Sequence, residues 1–223
     1  MQHGTNLRWV FRSHQPRYDG SMNLVKGVSM TKCDISIPTQ GLHHITLTGA
    51  GRQITLDFWE GVLGMPFVFE QPNLDNLVET HLYFDPGDDR LITVFCDETR
   101  EPRQEKTPIV VGAVHHIAFS VSQAVSIHLP EKLDQLGIVH SGLKDRGFMT
   151  SLYFREPLGL LIELAAYKFT PPLGVSHARV LFEAHRIRVG AEDLAISDRH
   201  VAKALERLAH QGVPSLSDFD IEK

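Results

Sequence analysis

Two short apolar runs of this sequence are each interrupted by a pair of adjacent histidines, His43–His44 in GLHHITL and His115–His116 in GAVHHIAF. Such runs are typical of β-strands, in which successive side chains point to opposite faces. Because an unpaired polar group is costly to bury, two such pairs indicate a function. Imidazole is the commonest metal ligand in proteins. The pattern therefore predicts that one histidine of each pair binds a metal ion and that the other lines a pocket beside it.

An internal repeat isolates a carboxylate that can complete this site. Aligned without gaps, HLYFDPGDDRLITVF matches SLYFREPLGLLIELA, which places Glu163 where the first copy has Thr93. A carboxylate within an apolar strand is costly unless a cation or strong hydrogen bonds neutralise it. With one histidine of each pair, Glu163 forms a set of two imidazoles and one carboxylate. Such a set binds a divalent metal, Fe(II), Mn(II) or Zn(II), and leaves positions open for substrate and dioxygen.

Each of these residues also has a structural interpretation. A single histidine in a strand often only forms a hydrogen bond, and Glu163 can form a salt bridge with Arg155 or Arg146. The metal interpretation is favoured because two histidine pairs at equivalent positions of a repeat occur together with a glutamate in its final strand.

The repeat also predicts the elements that position these residues. Each copy reads as a strand, a helix and three further strands, with helices around Gln53–Leu63 and His128–Leu136. An amphipathic helix is predicted over Asp198–Gln211. The predicted fold is α+β: paired βαβββ modules forming an incompletely closed β-barrel around a metal cleft, plus a C-terminal helical tail. The predicted segments are a flexible N-terminal extension (1–36), a two-module domain (37–170, with modules 41–100 and 113–170) and a C-terminal extension (171–223).

The composition argues against several classes of function. The formal net charge of −5 does not suit a nucleic-acid-binding surface. No apolar run approaches the roughly 20 residues that a membrane span needs. Two cysteines are too few for a disulfide framework, which predicts a cytoplasmic protein.

The motifs GLHHITL, DFWEGVLGM, HLYFD, VHHIAF, DRGF and LYFREPLGLLIELA resemble the vicinal-oxygen-chelate superfamily, and most of all its hydroquinone-type ring-cleaving dioxygenases. The resemblance covers roughly residues 41–170, and the enzymes it points to are longer, with additional modules. It implies that His44 and His116 are metal ligands and that Glu163 is the third. It also implies a neighbouring catalytic pocket of five residues: His43, Thr46, His115, Arg146 and Tyr153.

By this resemblance the expected activity is that of an Fe(II)-dependent, extradiol-type dioxygenase that uses O2 to open a hydroquinone or catechol ring. His43 or His115 can then act as general base. Arg146 can hold an anionic oxygen, and Tyr153 can donate a hydrogen bond or a proton. The alternatives are a glyoxalase-like lyase or isomerase and a non-catalytic binder of the antibiotic-resistance type. The expected small-molecule partners are an aromatic substrate and O2. Modules of this superfamily can swap between chains, so a second copy in a homodimer is also expected.

Overall fold

The computed structural model describes residues 39–103 and 105–211. The extension predicted over residues 1–36 lies outside the described residues. Within them, the chain forms two four-stranded sheets of the same topology, followed by two helices.

The first module carries one sheet and one helical segment. Strand β1 is parallel to β4, while β3 pairs antiparallel with both β4 and β2, giving the order β1-β4-β3-β2. The predicted helix is present, but it continues after α1 as a π-helical turn. Its elements are β1 (His44–Thr48), α1 (Arg52–Leu56), the π-helical turn (Asp57–Val62), β2 (Phe67–Pro72), β3 (Thr80–Phe84) and β4 (Leu91–Cys96).

The second module repeats this arrangement in the order β5-β8-β7-β6, with β5 parallel to β8. Ser122 caps its helical segment, where the side chain accepts a hydrogen bond from the backbone nitrogen of Val125. Its elements are β5 (His116–Ser120), α2 (Gln123–Ser126), α3 (Leu129–Gln135), β6 (His140–Asp145), β7 (Met149–Arg155) and β8 (Leu161–Tyr167).

The register of the strands confirms the repeat. In the first sheet Thr93 of β4 lies opposite Tyr83 of β3, and in the second Glu163 of β8 lies opposite Tyr153 of β7. Among the described residues, strands pair only within each four-stranded sheet, so no closed barrel is formed. The predicted α+β fold with two βαβββ modules is therefore confirmed.

One hydrophobic core joins the two modules. Phe58 and Trp59 of the π-helical turn are buried and reach the second module, where Phe58 lies 6.2 Å from Phe154 and Trp59 lies 6.2 Å from Phe119 (ring centroids). Alternate strand residues fill the rest of this core: Leu82, Phe84, Ile92, Val94, Leu152, Phe154, Ile162 and Leu164. Because side chains alternate along a strand, Thr93 and Glu163 point to the other face of their sheets.

The C-terminal segment forms a hairpin of two helices, α4 (His177–Gly190) and α5 (Asp198–Gln211), which we call the C-terminal hairpin. Helix α5 has the predicted bounds, whereas α4 was not predicted because its apolar residues do not form a clear stripe. The helices share a buried cluster of their own: Val180, Ala184, Val201, Ala204 and Leu208. None of the described helices is long and apolar enough to cross a membrane.

Candidate metal centre

Glu163 and His116 meet on one face of the second sheet. Strands β5 and β8 are parallel, and Ala118 lies opposite Glu163, so His116 is two residues away on the same face. The His116 Nε2 atom lies 3.0 Å from Oε2 of Glu163, whose side chain is only 4% exposed. Two of the three predicted ligands are therefore in contact.

The second carboxylate oxygen of Glu163 is bound by Tyr153. The Tyr153 hydroxyl, on the neighbouring strand, donates a hydrogen bond of 3.0 Å to Oε1. Arg146 in turn donates to the Tyr153 oxygen at 3.4 Å, with its guanidinium carbon 5.5 Å from the centre of the tyrosine ring. Arg146, Tyr153, Glu163 and His116 thus form a continuous chain of polar contacts.

This chain of contacts decides between two interpretations of the buried carboxylate. Arg155 donates to the carbonyl of Gly159, and Arg146 is directed to Tyr153. Among the described residues neither arginine forms an ion pair with Glu163, so the salt-bridge alternative does not apply. The carboxylate is held by an imidazole and a phenol.

The histidines of each pair contact one another. The Nδ1 atoms are 2.9 Å apart in both His43–His44 and His115–His116, and the rings are nearly perpendicular. The expectation that the two rings of a pair point to opposite faces is wrong. Because β1 begins at His44 and β5 at His116, the first histidine of each pair precedes the alternating backbone of the strand.

His44 lies on the exposed face of β1, in the first module. Within the described part of the chain, no three histidine, cysteine, aspartate or glutamate side chains are close enough together to hold a metal ion. The structure therefore provides two of the three predicted ligands, His116 and Glu163, as a contact within one chain. The donors present, an imidazole nitrogen and a buried carboxylate, fit a divalent transition metal.

The equivalent position in the first module is uncharged. Thr93 is fully buried, and its hydroxyl donates a 2.8 Å hydrogen bond to Thr46, the residue opposite it on β1. The Tyr83 hydroxyl lies 2.8 Å from Nδ1 of His81. Burial lowers the pKa of His81, and its Nε2 atom is buried without a hydrogen-bond partner among the described residues.

A cavity of about 200 Å³ opens beside Glu163. Its walls are mostly apolar, and an apolar cavity of about 150 Å³ is enough to hold one benzene ring. Sequence reasoning missed Tyr167 and Met149 in this wall, although Tyr167 lies four residues after Glu163 on β8 and so on the same face. The lining residues are Ala118, Phe119, Ser120, Met149, Glu163, Ala165 and Tyr167.

The family of the chain follows from comparison with known proteins. Residues 41–164 match the family described as the glyoxalase/bleomycin resistance protein/dioxygenase superfamily. A protein named "Putative ring-cleaving dioxygenase MhqA" from Bacillus subtilis (strain 168) is 26% identical over 132 residues, which are 56% of this chain and 40% of that protein. The chain thus spans less than half the length of this relative.

Two solved structures are similar to the chain. The crystal structure of a "putative dioxygenase from Bacillus subtilis subsp. subtilis str. 168" has a TM-score of 0.51 and 28% identity, covering 59% of this chain and 42% of that one. A glyoxylase/bleomycin resistance protein/dioxygenase domain from Frankia sp. EAN1pec has a TM-score of 0.50 and 15% identity, covering 59% of this chain and 100% of that one. The second likeness supports the fold alone. The chain belongs to the glyoxalase/bleomycin resistance protein/dioxygenase superfamily.

Proposed function

We propose that the protein is a metal-dependent, extradiol-type dioxygenase that opens the ring of a dihydroxylated aromatic such as a hydroquinone or a catechol. The observation that carries this proposal is the buried Glu163 carboxylate, held between His116 and Tyr153 beside an apolar cavity with room for one aromatic ring. The similarity of the chain to a protein named "Putative ring-cleaving dioxygenase MhqA" supports the same activity.

The proposed ligands are His44, His116 and Glu163, with Fe(II) as the metal; Mn(II) and Zn(II) suit the same donors. Bound there, the metal supplies Lewis acidity and open positions for the substrate oxygen and O2. His115 orients the ligand beside it: when Nε2 of His116 binds a metal, its Nδ1 carries the proton and donates to Nδ1 of His115. His43 has the same relation to His44.

The other pocket residues act on the substrate. Arg146 stabilises negative charge on a phenolic oxygen by donating charge-assisted hydrogen bonds. Tyr153 does so when its hydroxyl turns from Glu163 to the substrate. His43 or His115 accepts the phenolic proton at Nδ1 when the hydrogen bond from the neighbouring histidine opens, because Nε2 carries the proton in the neutral ring. Thr46 is proposed to line the part of the pocket that the first module contributes, and its hydroxyl accepts a hydrogen bond from Thr93.

A homodimer is part of this proposal. The helical segment of the first module packs between the sheets, while His44 and Glu163 lie on sheet faces turned away from the shared core. A second copy can therefore bring its His44 to the His116–Glu163 pair of the first.

A cytoplasmic location is also proposed, since the buried free thiol of Cys96 suits a reducing compartment.

The activity is tested by loading the protein with Fe(II) without oxygen and then measuring O2 uptake with hydroquinone and with catechol. We expect uptake with a ring-opened product from one of them. Iron-loaded protein that consumes no O2 with either substrate would contradict the proposed reaction.

The dimer is tested by mixing two inactive variants, His44→Ala and Glu163→Ala, under conditions in which subunits exchange. In a mixed dimer with ligands shared between copies, one site has both substitutions and the other has none. About a quarter of the wild-type activity should return, because half of the dimers are mixed and each has one intact site. No recovery, with subunit exchange demonstrated, would show that each chain supplies all of its own ligands.

A further inference from the structure

We propose that the C-terminal hairpin, which lies outside the residues matched by the superfamily, positions Arg146 over the site. This positioning depends on two features, the side chain of Lys168 and the contact between Gly147 and Ile196. The inference rests on the proposed function in one respect, that Arg146 acts on the bound substrate.

Arg146 lies in the tight turn between β6 and β7, which we call the arginine turn (residues 145–149). The backbone nitrogen of Gly147 donates a 2.7 Å hydrogen bond to Oδ1 of Asp145, and that of Arg146 donates a 2.9 Å bond to the carbonyl of Met149. These bonds close the turn locally. They act only within the turn, whose Asp145 and Arg146 side chains are exposed, so contacts with other segments also set its orientation.

An ion-pair bridge connects the arginine turn to the hairpin. The Lys168 ammonium lies 3.0 Å from a carboxylate oxygen of Asp145 and 3.1 Å from one of Asp198, the first residue of α5. Lys168 donates hydrogen bonds to Asp145 and Asp198, and these bonds raise the pKa of its ammonium group. The backbone nitrogen of Lys168 also donates to the carbonyl of Phe148, at 3.0 Å.

A close backbone contact supports the turn independently. Gly147 has a φ of +80°, and a Cβ atom added there would lie 2.2 Å from the carbonyl oxygen of Ile196, in the loop between α4 and α5. Phe148 and Ile196 both pack against the buried cluster of the hairpin. The turn therefore lies directly against the hairpin, with no space for a side chain between them.

The loop that contacts Gly147 is itself fixed. His200 is buried, its Nδ1 atom accepts a 3.0 Å hydrogen bond from the backbone nitrogen of Ser197, and its Nε2 atom lies 2.7 Å from Asp193. The hairpin loop is thus held by hydrogen bonds where it meets the turn. Arg146 is connected to Glu163 by hydrogen bonds through Tyr153. The orientation of the turn therefore determines where the guanidinium lies relative to the carboxylate.

Amide hydrogen exchange in the metal-free protein tests the connection without any activity. The variants are Lys168→Met, which keeps the aliphatic stem, and Gly147→Ala. Both should speed exchange of the Arg146 and Gly147 amides by about tenfold or more, since local opening becomes easier. The control is Arg207→Gln, which breaks an ion pair with Glu183 inside the hairpin and touches no residue of the turn. Unchanged exchange in Lys168→Met, or an equal increase in the control, would overturn the proposal.

A double-substitution cycle tests the consequence for the site. We expect Lys168→Met to lower kcat/KM about threefold to tenfold with metal content unchanged, Lys168→Arg to restore it, and neither to matter once Arg146→Ala is present. A loss that is the same in both backgrounds would mean that Lys168 acts only on overall stability. Catechol affinity, measured by calorimetry, gives the same cycle without turnover. Protein that binds catechol with this coupling but consumes no O2 would contradict the dioxygenase and leave the positioning role supported.

Discussion

The two modules have the same fold but place different chemistry at the same position of the sheet. In the first module Thr93, opposite Tyr83, is satisfied by one hydrogen bond to Thr46. In the second, Glu163 lies opposite Tyr153, while the residue beside it on the neighbouring strand is Ala118, which offers no hydrogen bond. A duplicated backbone has thus produced one uncharged position and one acidic position.

The two positions also differ in energetic cost. A buried hydroxyl needs one partner, whereas a buried carboxylate loses much of its hydration energy and needs several. Glu163 is 3% exposed and has two partners, the imidazole of His116 and the phenol of Tyr153. A chain selected for stability alone would gain by replacing such a group, so its presence is the difference that indicates function.

The largest effect is expected from removing this carboxylate. Glu163→Ala should lower the affinity for Fe(II) by roughly 100-fold or more and abolish activity, because the ligand itself is lost. Thr93→Ala is the matched control at the equivalent position and should retain stoichiometric metal. Metal content is measured by elemental analysis after dialysis. Stoichiometric metal in Glu163→Ala would refute the ligand assignment.

The tyrosines opposite these two residues give the next comparison. Tyr153→Phe removes the hydrogen bond to Oε1 of Glu163, and loss of such an outer partner lowers metal affinity by about 10- to 100-fold. Tyr83→Phe removes a contact with His81 and should leave metal affinity within about twofold of the wild type. Calorimetric titration with Fe(II) or Mn(II) distinguishes them. Equal losses would mean that the modules are not functionally different.

Much of this difference could be predicted from the sequence, because it depends on local patterns. The equivalence of Thr93 and Glu163 followed from a gap-free alignment, and the strand register agrees with it. The choice of His116 rather than His115 as the partner of Glu163 came from the resemblance to the superfamily, and the structure shows His116 in contact with Glu163. The first inference needed only a repeat, whereas the second needed the resemblance.

The rest depends on contacts between elements that no local pattern reports. Helix α4 has no clear apolar stripe, yet it is stabilised by packing against α5. The contact between Gly147 and Ile196 joins segments far apart in the chain. The place of His44 relative to Glu163 depends on how the modules pack, which the ligand pattern alone does not determine.

Two residues before each of these tyrosines, on the same face of the strand, the first module has His81 and the second has Ser151. We expect the stability of the protein to depend on pH through His81. Burial lowers the pKa of His81 below its usual value of about 6.5, so the folded state disfavours the imidazolium. Above a pH of about 6.5, His81 is neutral in both the folded and the unfolded chain, and it does not reduce the free energy of unfolding. As the pH falls below about 6.5, the unfolded chain binds a proton first and stability decreases.

His81→Gln should therefore reduce the loss of stability between pH 7 and pH 5, because glutamine does not titrate. Urea unfolding of the metal-free protein at several pH values measures the slope. The same slope in the variant and the wild type would show that His81 does not contribute to it. The Ser151 hydroxyl is buried without a partner among the described residues. It does not titrate in this range, so it adds no pH dependence to the stability.

The smallest effect is expected from Thr93→Val, which keeps the shape of a fully buried side chain and removes its hydroxyl. The lost hydrogen bond to Thr46 is worth about 1 kcal/mol, and the cost should be at the lower end because Thr46 is exposed and can bind water instead. Urea unfolding measures this change, and metal titration should show none. A loss of metal affinity in Thr93→Val would mean that the first module contributes its threonine pair to the site, and that the two sheets are less different in function than their side chains indicate.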